Sequence, residues 1–210
     1  MRNLTFQEQL WKGQFGNEYI TRNNEDLLVA SNTALFSKIM SSTKDVSSII
    51  EFGSNIGLNM LALKTILPQS SFSSVEINEK ACEELKNLEF IDVYNTSMFD
   101  FESQDKFDFT FTKGVLIHIS PDLLDDAYNI LYEYSKKYIM VCEYYNPTPV
   151  EIEYRGNNNA LFKRDFAGDL MKKFSDLQLV DYGFVYHADN VFKQDDLTWF
   201  LMEKVEMTNG

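Results

Sequence analysis

Between residues 46 and 143, short β-rich runs alternate with helical stretches. "VSSIIEF", "SFSSVEI", "FIDVYN", "FDFTFTK" and "YIMVCEYY" are rich in β-branched and aromatic residues and too short for helices of ordinary length. Among them lie "LNMLALKTIL", which stops before Pro68, then "NEKACEELKNL", and "PDLLDDAYNILYEYS", with Pro121 in its first turn. Such alternation predicts a parallel sheet covered by helices on both faces. The end of the chain differs. "LQLVDYGFVYH" and "DLTWFLMEK" are two strands separated by "ADNVFKQD", short enough for a hairpin. The predicted fold class is therefore α/β, an alternating sheet that finishes antiparallel. Residues 5 to 15 predict one amphipathic helix and residues 25 to 40 a second, with the polar "FGNEYITRNN" between them as turn. Residues 146 to 166 predict irregular structure and "AGDLMKKFSD" a helix.

The 210 residues suit one domain, and 44% hydrophobic content supports a sizeable core. A net charge of -13 argues against nucleic acid or an anionic membrane as the main partner. A small-molecule substrate is expected instead, and a local basic pocket still permits an anionic one. Cys82 and Cys142 form no metal-ligand spacing and predict buried, reduced thiols; no metal site is expected. No stretch reaches the ~20 apolar residues of a membrane helix, and the first residues lack an apolar leader, so a soluble cytoplasmic protein is expected.

The turn "IIEFGSNIGLN" joins the first strand to its helix. Glycine there permits positive φ and close approach of a ligand to the backbone. A dinucleotide site prefers G-x-G-x-x-G, with pyrophosphate on the helix N-terminus. Here the spacing is G-S-N-I-G, and Glu51 stands two residues before Gly53. A carboxylate suits the cationic amino group of S-adenosylmethionine (SAM) better than a pyrophosphate. Gly53, Ser54, Asn55 and Gly57 are thus candidate SAM contacts, and a nicotinamide oxidoreductase is the weakest reading. Glu76 ends the second strand 25 residues after Glu51, where a carboxylate can accept both ribose hydroxyls, with Ile77 beside it. Ser97 and Met98 follow the third strand, and Lys113 and Gly114 end the fourth. His118 then lies over cofactor or acceptor as a candidate base or orienting group.

"EFGSNIGLN", "VEIN" and "TKGVLIHI" resemble class I SAM-dependent methyltransferases. "TFQEQLWKGQFGNEYITRN", "EYYNPTPVEIEYRGNNNALFKRDFA" and "DYGFVYHADNVFKQDDLTWFLMEK" resemble the methylases associated with pseudaminic acid biosynthesis, over nearly the whole chain. The resemblance implies a seven-stranded Rossmann-like sheet with its last strand antiparallel, SAM as cofactor, and an acceptor from bacterial surface-glycan synthesis. It implies an N-terminal helical lid over residues 1–45, a SAM-binding domain over 46–210, and a substrate-side insertion over 146–165. Trp11, Tyr19 and Arg22 lie in that lid; Tyr19 and Arg22 are three apart and suit the methionine carboxylate. One departure stands out: Asn157 occupies a position where the resemblance predicts histidine.

After the fifth strand, Glu143, Tyr144, Tyr145 and Asn146 are candidates to line the acceptor site, with Glu143 and Tyr145 joining His118 as candidate catalytic groups. Tyr154, Arg155, Lys163 and Arg164 form a basic cluster suited to an anion, and His187 ends the sixth core strand. The expected reaction is O- or N-methylation of an anionic sugar or precursor. Two alternatives are methylation of a phosphate or phosphoramidate oxygen, and a SAM-binding protein without catalysis.

Overall fold

The computed structural model describes residues 2–20 and 25–206. Helix α1 (Phe6–Lys12) opens with a capping box, in which Thr5 and Glu8 satisfy each other's backbone N–H groups. It stops at Gly13, and α2 (Gln14–Ile20) follows at once. The expected single helix over 5–15 is thus two, and part of the expected polar turn is helical. Helix α3 (Glu25–Met40) leads into the sheet.

The central chain runs β1 (Ser48–Phe52), α4 (Leu58–Ile66), β2 (Ser71–Glu76), α5 (Glu79–Lys86), β3 (Ile91–Asn95), β4 (Phe107–Lys113), α6 (Leu124–Glu133) and β5 (Ser135–Glu143). A hairpin, β6 (Val150–Tyr154) and β7 (Asn157–Lys163), then precedes α7 (Phe166–Lys173), β8 (Leu177–Val185) and β9 (Leu197–Lys204). The main sheet has seven strands in the order β3-β2-β1-β4-β5-β9-β8, and β9 alone runs against both neighbours. The expected antiparallel ending is present. The hairpin is a correction to the irregular segment expected over 146–166. Its turn, Arg155–Gly156, has φ of 51° and 79°, the left-handed pair that a two-residue hairpin turn needs.

Helices cover both faces. Phe36 and Ile39 of α3 meet Met60 and Leu63 of α4 over Ile49, Phe109 and Phe111. On the other face Ala127 and Leu131 of α6 and Leu170 of α7 cover Ile50, Ile139 and Val141. No helix among the described residues is long and apolar enough to cross a membrane.

The strand order reverses direction between β1 and β4. The helices that follow those two strands, α4 and α6, pack on opposite faces of the sheet, which leaves a crevice at the carboxyl edge of an open α/β sheet.

Candidate active site

The crevice is a cavity of about 270 Å³, and residues from the ends of β1, β2, β4 and β5 line it, as do residues of α1 and α2. Gly53 lies on its wall with φ 82°, and a Cβ there would stand 2.5 Å from the Val115 side chain. Only glycine lets the first-strand loop and the fourth-strand loop come this close. Gly57 differs from its expected role. Its φ of 85° caps α4, and a Cβ would meet Leu85 at 2.7 Å and Leu88 at 2.9 Å. It serves the packing of the first two loops and is not on the cavity wall.

Two acidic side chains stand at the ends of β1 and β2. Glu51 is fully buried; its Oε1 accepts from Asn59 Nδ2 at 2.6 Å, while its Oε2 has no partner. Burial pushes its carboxyl up to about 8, with Asn59 and Lys113 opposing and Glu76 adding. Glu76 is held at both oxygens, by the N–H of Asn78 at 2.8 Å and the N–H of Asn55 at 2.8 Å. Burial outweighs these bonds and raises its pKa too. Asn55 and Asn59 line the cavity as well, and each has a buried amide oxygen without a partner. This end of the cavity wall thus carries the amide oxygens of Asn55 and Asn59, with the Glu51 carboxyl behind Asn59.

Helices α1 and α2 close over it through two polar joints. Asn78 Nδ2 donates to Trp11 O at 3.0 Å and Asn17 Oδ1 at 2.9 Å. Gly16 makes this seating possible, since a Cβ there would fall within 2.8 Å of the Asn78 amide nitrogen. At the second joint Glu8 bonds Arg2 and the Ser97 hydroxyl, while Arg2 reaches Ser97 at 2.8 Å and Asp100 at 3.2 Å. Burial alone would raise the Glu8 carboxyl, but the bonds from Arg2, Ser97 and the Thr5 backbone hold it down at about 2. Glu8, Ser97 and Met98 all line the cavity.

The other end is aromatic. The His118 ring lies 4.7 Å from Trp11 and 5.0 Å from Tyr154 between centroids. Its Nδ1 is 2.6 Å from the Ala160 carbonyl of β7, and a carbonyl only accepts, so Nδ1 carries the proton and Nε2 the free lone pair. Burial depresses its pKa to about 4, so the neutral ring is the resting form. Asp195 lines the cavity with Tyr144, and burial first, then that carboxylate, raises the phenol far above its ordinary value. Lys163 sits 4.9 Å over the Tyr144 ring and Arg155 5.5 Å over Tyr154.

The structure brings Trp11, Tyr19, Gly53, Ser54, Asn55, Glu76, Ile77, Ser97, Met98, Lys113, Gly114, His118, Tyr144 and Tyr154 onto one cavity. Glu51 stands behind its wall. Glu143 and Tyr145 are not on it. Glu143 is buried beneath the fourth-strand loop, where it accepts from Thr112 at 3.0 Å and from the N–H groups of Val115, Leu116 and Ile117. Tyr145 points to the opposite side of the sheet from Tyr144, against Phe200 at 5.8 Å, because side chains alternate at the strand end. Arg164 bridges to Tyr145 on that same side, and Asn146 folds back on Thr148. Arg155 and Lys163 stand behind aromatic wall residues rather than on the wall. His187 pairs with Asp196 at 2.9 Å on the surface. Arg22 lies outside the described residues.

Sequence reasoning missed Glu8, Asn59, Asn78 and Asp195. Thr5-x-x-Glu8 is a legible capping box, yet the second use of Glu8 at Ser97 follows only from the packing of α1.

The whole fold recurs in solved structures. The plantazolicin methyltransferase BpumL, in complex with a pentazolic desmethylPZN analog and SAH (S-adenosylhomocysteine), superposes with a TM-score of 0.65 at 12% identity, covering 94% of each chain. The 1,6-didemethyltoxoflavin-N1-methyltransferase of Burkholderia thailandensis, with 1,6-didemethyltoxoflavin and SAH bound, gives 0.67 at 12% identity over 91% of this chain and 83% of its own. The fold is that of the class I methyltransferases. The magnesium protoporphyrin IX methyltransferase of Synechocystis PCC 6803, with SAM bound, gives 0.64 at 9% identity over 98% of this chain and 100% of its own. No family model and no curated protein matches the sequence.

Proposed function

We propose that the chain is a SAM-dependent methyltransferase acting on an oxygen or nitrogen of a small, polar, anionic sugar or sugar precursor. The observation that carries the donor half is the buried Glu51 oxygen without a partner, beside a glycine turn that approaches the cavity. A fully buried carboxylate with one bonded oxygen suits a ligand that brings an ammonium group. The unpartnered oxygens of Asn55 and Asn59 extend this fit. Glu76, oriented by two backbone N–H groups, keeps lone pairs for a pair of ribose hydroxyls. Ser97 and Met98 fit the edge and face of an adenine. SAM, when bound, supplies an electrophilic methyl group. The fold and the SAH- or SAM-bound neighbours support this reading of the donor.

The acceptor half rests on the aromatic end. Rings of Trp11, Tyr19, Tyr144 and Tyr154 suit the C–H faces of a sugar, and Arg155 and Lys163 behind two of those rings favour a negative charge. Here α1, α2 and the β6–β7 hairpin act as lid and acceptor wall. His118 accepts the proton of an attacking hydroxyl at Nε2, while the Ala160 carbonyl keeps Nδ1 protonated. Glu143 holds the loop that carries His118 and is a positioning residue. The sequence resemblance supplies surface-glycan synthesis as the pathway context of this reading. If the anion is itself the nucleophile, as in a phosphate or phosphoramidate, no base is needed and the two cations suffice.

Thermal unfolding with SAH and with NAD tests the donor; a rise with SAH alone is expected. Stabilisation by NAD and not by SAH overturns the reading. A SAM-consumption screen over nonulosonic acids, amino sugars, nucleotide sugars and phosphorylated capsule precursors tests the acceptor. Binding of SAH without turnover of any of these leaves a SAM-binding protein that is not a catalyst.

A further inference from the structure

Among the described residues, most of the large apolar side chains left in water fall within residues 179–192. Tyr182, Phe184 and Tyr186 are 63%, 57% and 48% exposed, and their spacing of two puts them on one face of β8 and its extension. Phe200 of β9 stands opposite Tyr182 in register, with the rings 6.2 Å apart and 18° from parallel. Tyr145, 41% exposed, continues the stripe against Phe200. The other face of the same strands is covered, with Trp199 and Leu201 in the core beneath α3. On the aromatic face α7 ends at Lys173 and covers only the first part of β8, at Leu177.

We infer that this aromatic face joins two copies of the chain across a two-fold axis. Area is the first argument. At roughly 150–250 Å² per aromatic side chain, the exposed fractions of Tyr145, Tyr182, Phe184 and Tyr186 amount to about 300–500 Å². That is already as large as the greatest apolar patch on an ordinary monomer. Two copies bring about 600–1,000 Å² from rings alone, and Leu179 and Val180 of the same strand, both exposed, carry the contact toward the ~1,200–2,000 Å² of a specific interface. Charge is the second argument. Each copy carries -13, yet residues 179–186 hold a single charge, Asp181, which is turned to bond Ser42 Oγ at 2.9 Å and its neighbour's N–H at 2.8 Å. The stripe is thus neutral on an acidic molecule, so two copies can bring it together across a two-fold axis without opposing their negative charges there. The sheet edge is the third. β8 is the outermost strand, and a bulge between Leu179 and Asp181 blunts its first half only. The half beside the rings stays open to a neighbour.

Sedimentation and light scattering on the full chain from about 1 µM to about 100 µM test the inference. The expected mass is twice 24.4 kDa, with association tightening as salt screens the like charges. Tyr182→Ser combined with Phe184→Ser is expected to weaken the dimer at least tenfold, with SAH binding and the far-ultraviolet spectrum unchanged. Where that pair fails to fold, Tyr186→Glu, which opposes like charges across the axis, is expected to give the same loss. A wild-type monomer throughout the range overturns the inference. So does a dimer that persists in these variants, or a monomer that cosediments with neutral phosphatidylcholine vesicles, which would make the stripe a lipid contact.

Discussion

Glu51 and Asn59 share one hydrogen bond of 2.6 Å, and it leaves the second Glu51 oxygen buried with no donor. The pair orients a carboxylate whose burial raises its pKa to about 8. Near neutral pH the free protein holds this group largely protonated, and an incoming ammonium displaces the proton. SAH affinity is therefore expected to rise as pH goes from about 6 to about 8, by at most tenfold per unit. Calorimetry in buffers of different ionisation enthalpy should register proton release on binding. Glu51→Gln should bind at least tenfold more weakly, without the pH slope.

The same shift acts on folding. Glu51 and Glu143 have folded pKa values raised to about 8 and about 7 by burial. A raised carboxyl contributes stability that is complete below its unfolded pKa of about 4.3 and is lost as pH rises through the folded value. The ligand-free protein should lose melting temperature between about pH 5 and about pH 8 on this account. Glu51→Gln should flatten that decline, and a melting curve set over pH will tell.

Glu8 works in the opposite sense. Its pKa is held at about 2, so its contribution is present above the unfolded value and is lost only as pH falls toward the folded one. Glu8→Gln is expected to shallow the acid limb of the stability profile. It should also speed amide exchange in α1 relative to the core strands, because the joint to Arg2 and Ser97 is weakened.

Gly57→Ala and Gly53→Ala separate packing from ligand approach. Positive φ costs about 1–2 kcal/mol for a residue with a side chain, and the contact with Leu85 and Leu88 adds about 1–3 kcal/mol. Gly57→Ala should therefore destabilise by about 2–5 kcal/mol and leave SAH affinity of the folded fraction nearly intact. Gly53→Ala should lower both, since the new methyl meets Val115 on the cavity wall.

Neighbouring tyrosines separate the two sides of the sheet. Tyr144→Phe removes the phenol oxygen from the cavity wall beside Asp195 and is expected to lower turnover at least tenfold once an acceptor is found. Tyr145→Phe lies on the Phe200 side and should leave turnover unchanged. Equal effects in steady-state assays would remove Tyr144 from the acceptor wall. His118→Ala is expected to lower kcat for a hydroxyl acceptor far more than for a phosphate.

The alternation of strand and helix, the glycine turn, and the placement of Glu51 and Glu76 at strand ends were legible in the sequence. They depend on local periodicity and on the rule that ligands sit at the carboxyl edge of such sheets. The antiparallel ending was legible for the same reason, since eight loop residues admit a hairpin. Tertiary structure decided the rest. Which of Tyr144 and Tyr145 faces the cavity depends on a one-residue register that periodicity does not resolve at a strand end. Glu143 is a buried anchor because three backbone N–H groups of a distant loop converge on it. Gly57 belongs to the packing of Leu85 and Leu88, and Glu8 reaches Ser97 across 89 residues of sequence. Each of these relations joins segments far apart in the chain, and only the closure of the sheet and the seating of α1 bring them within hydrogen-bonding distance.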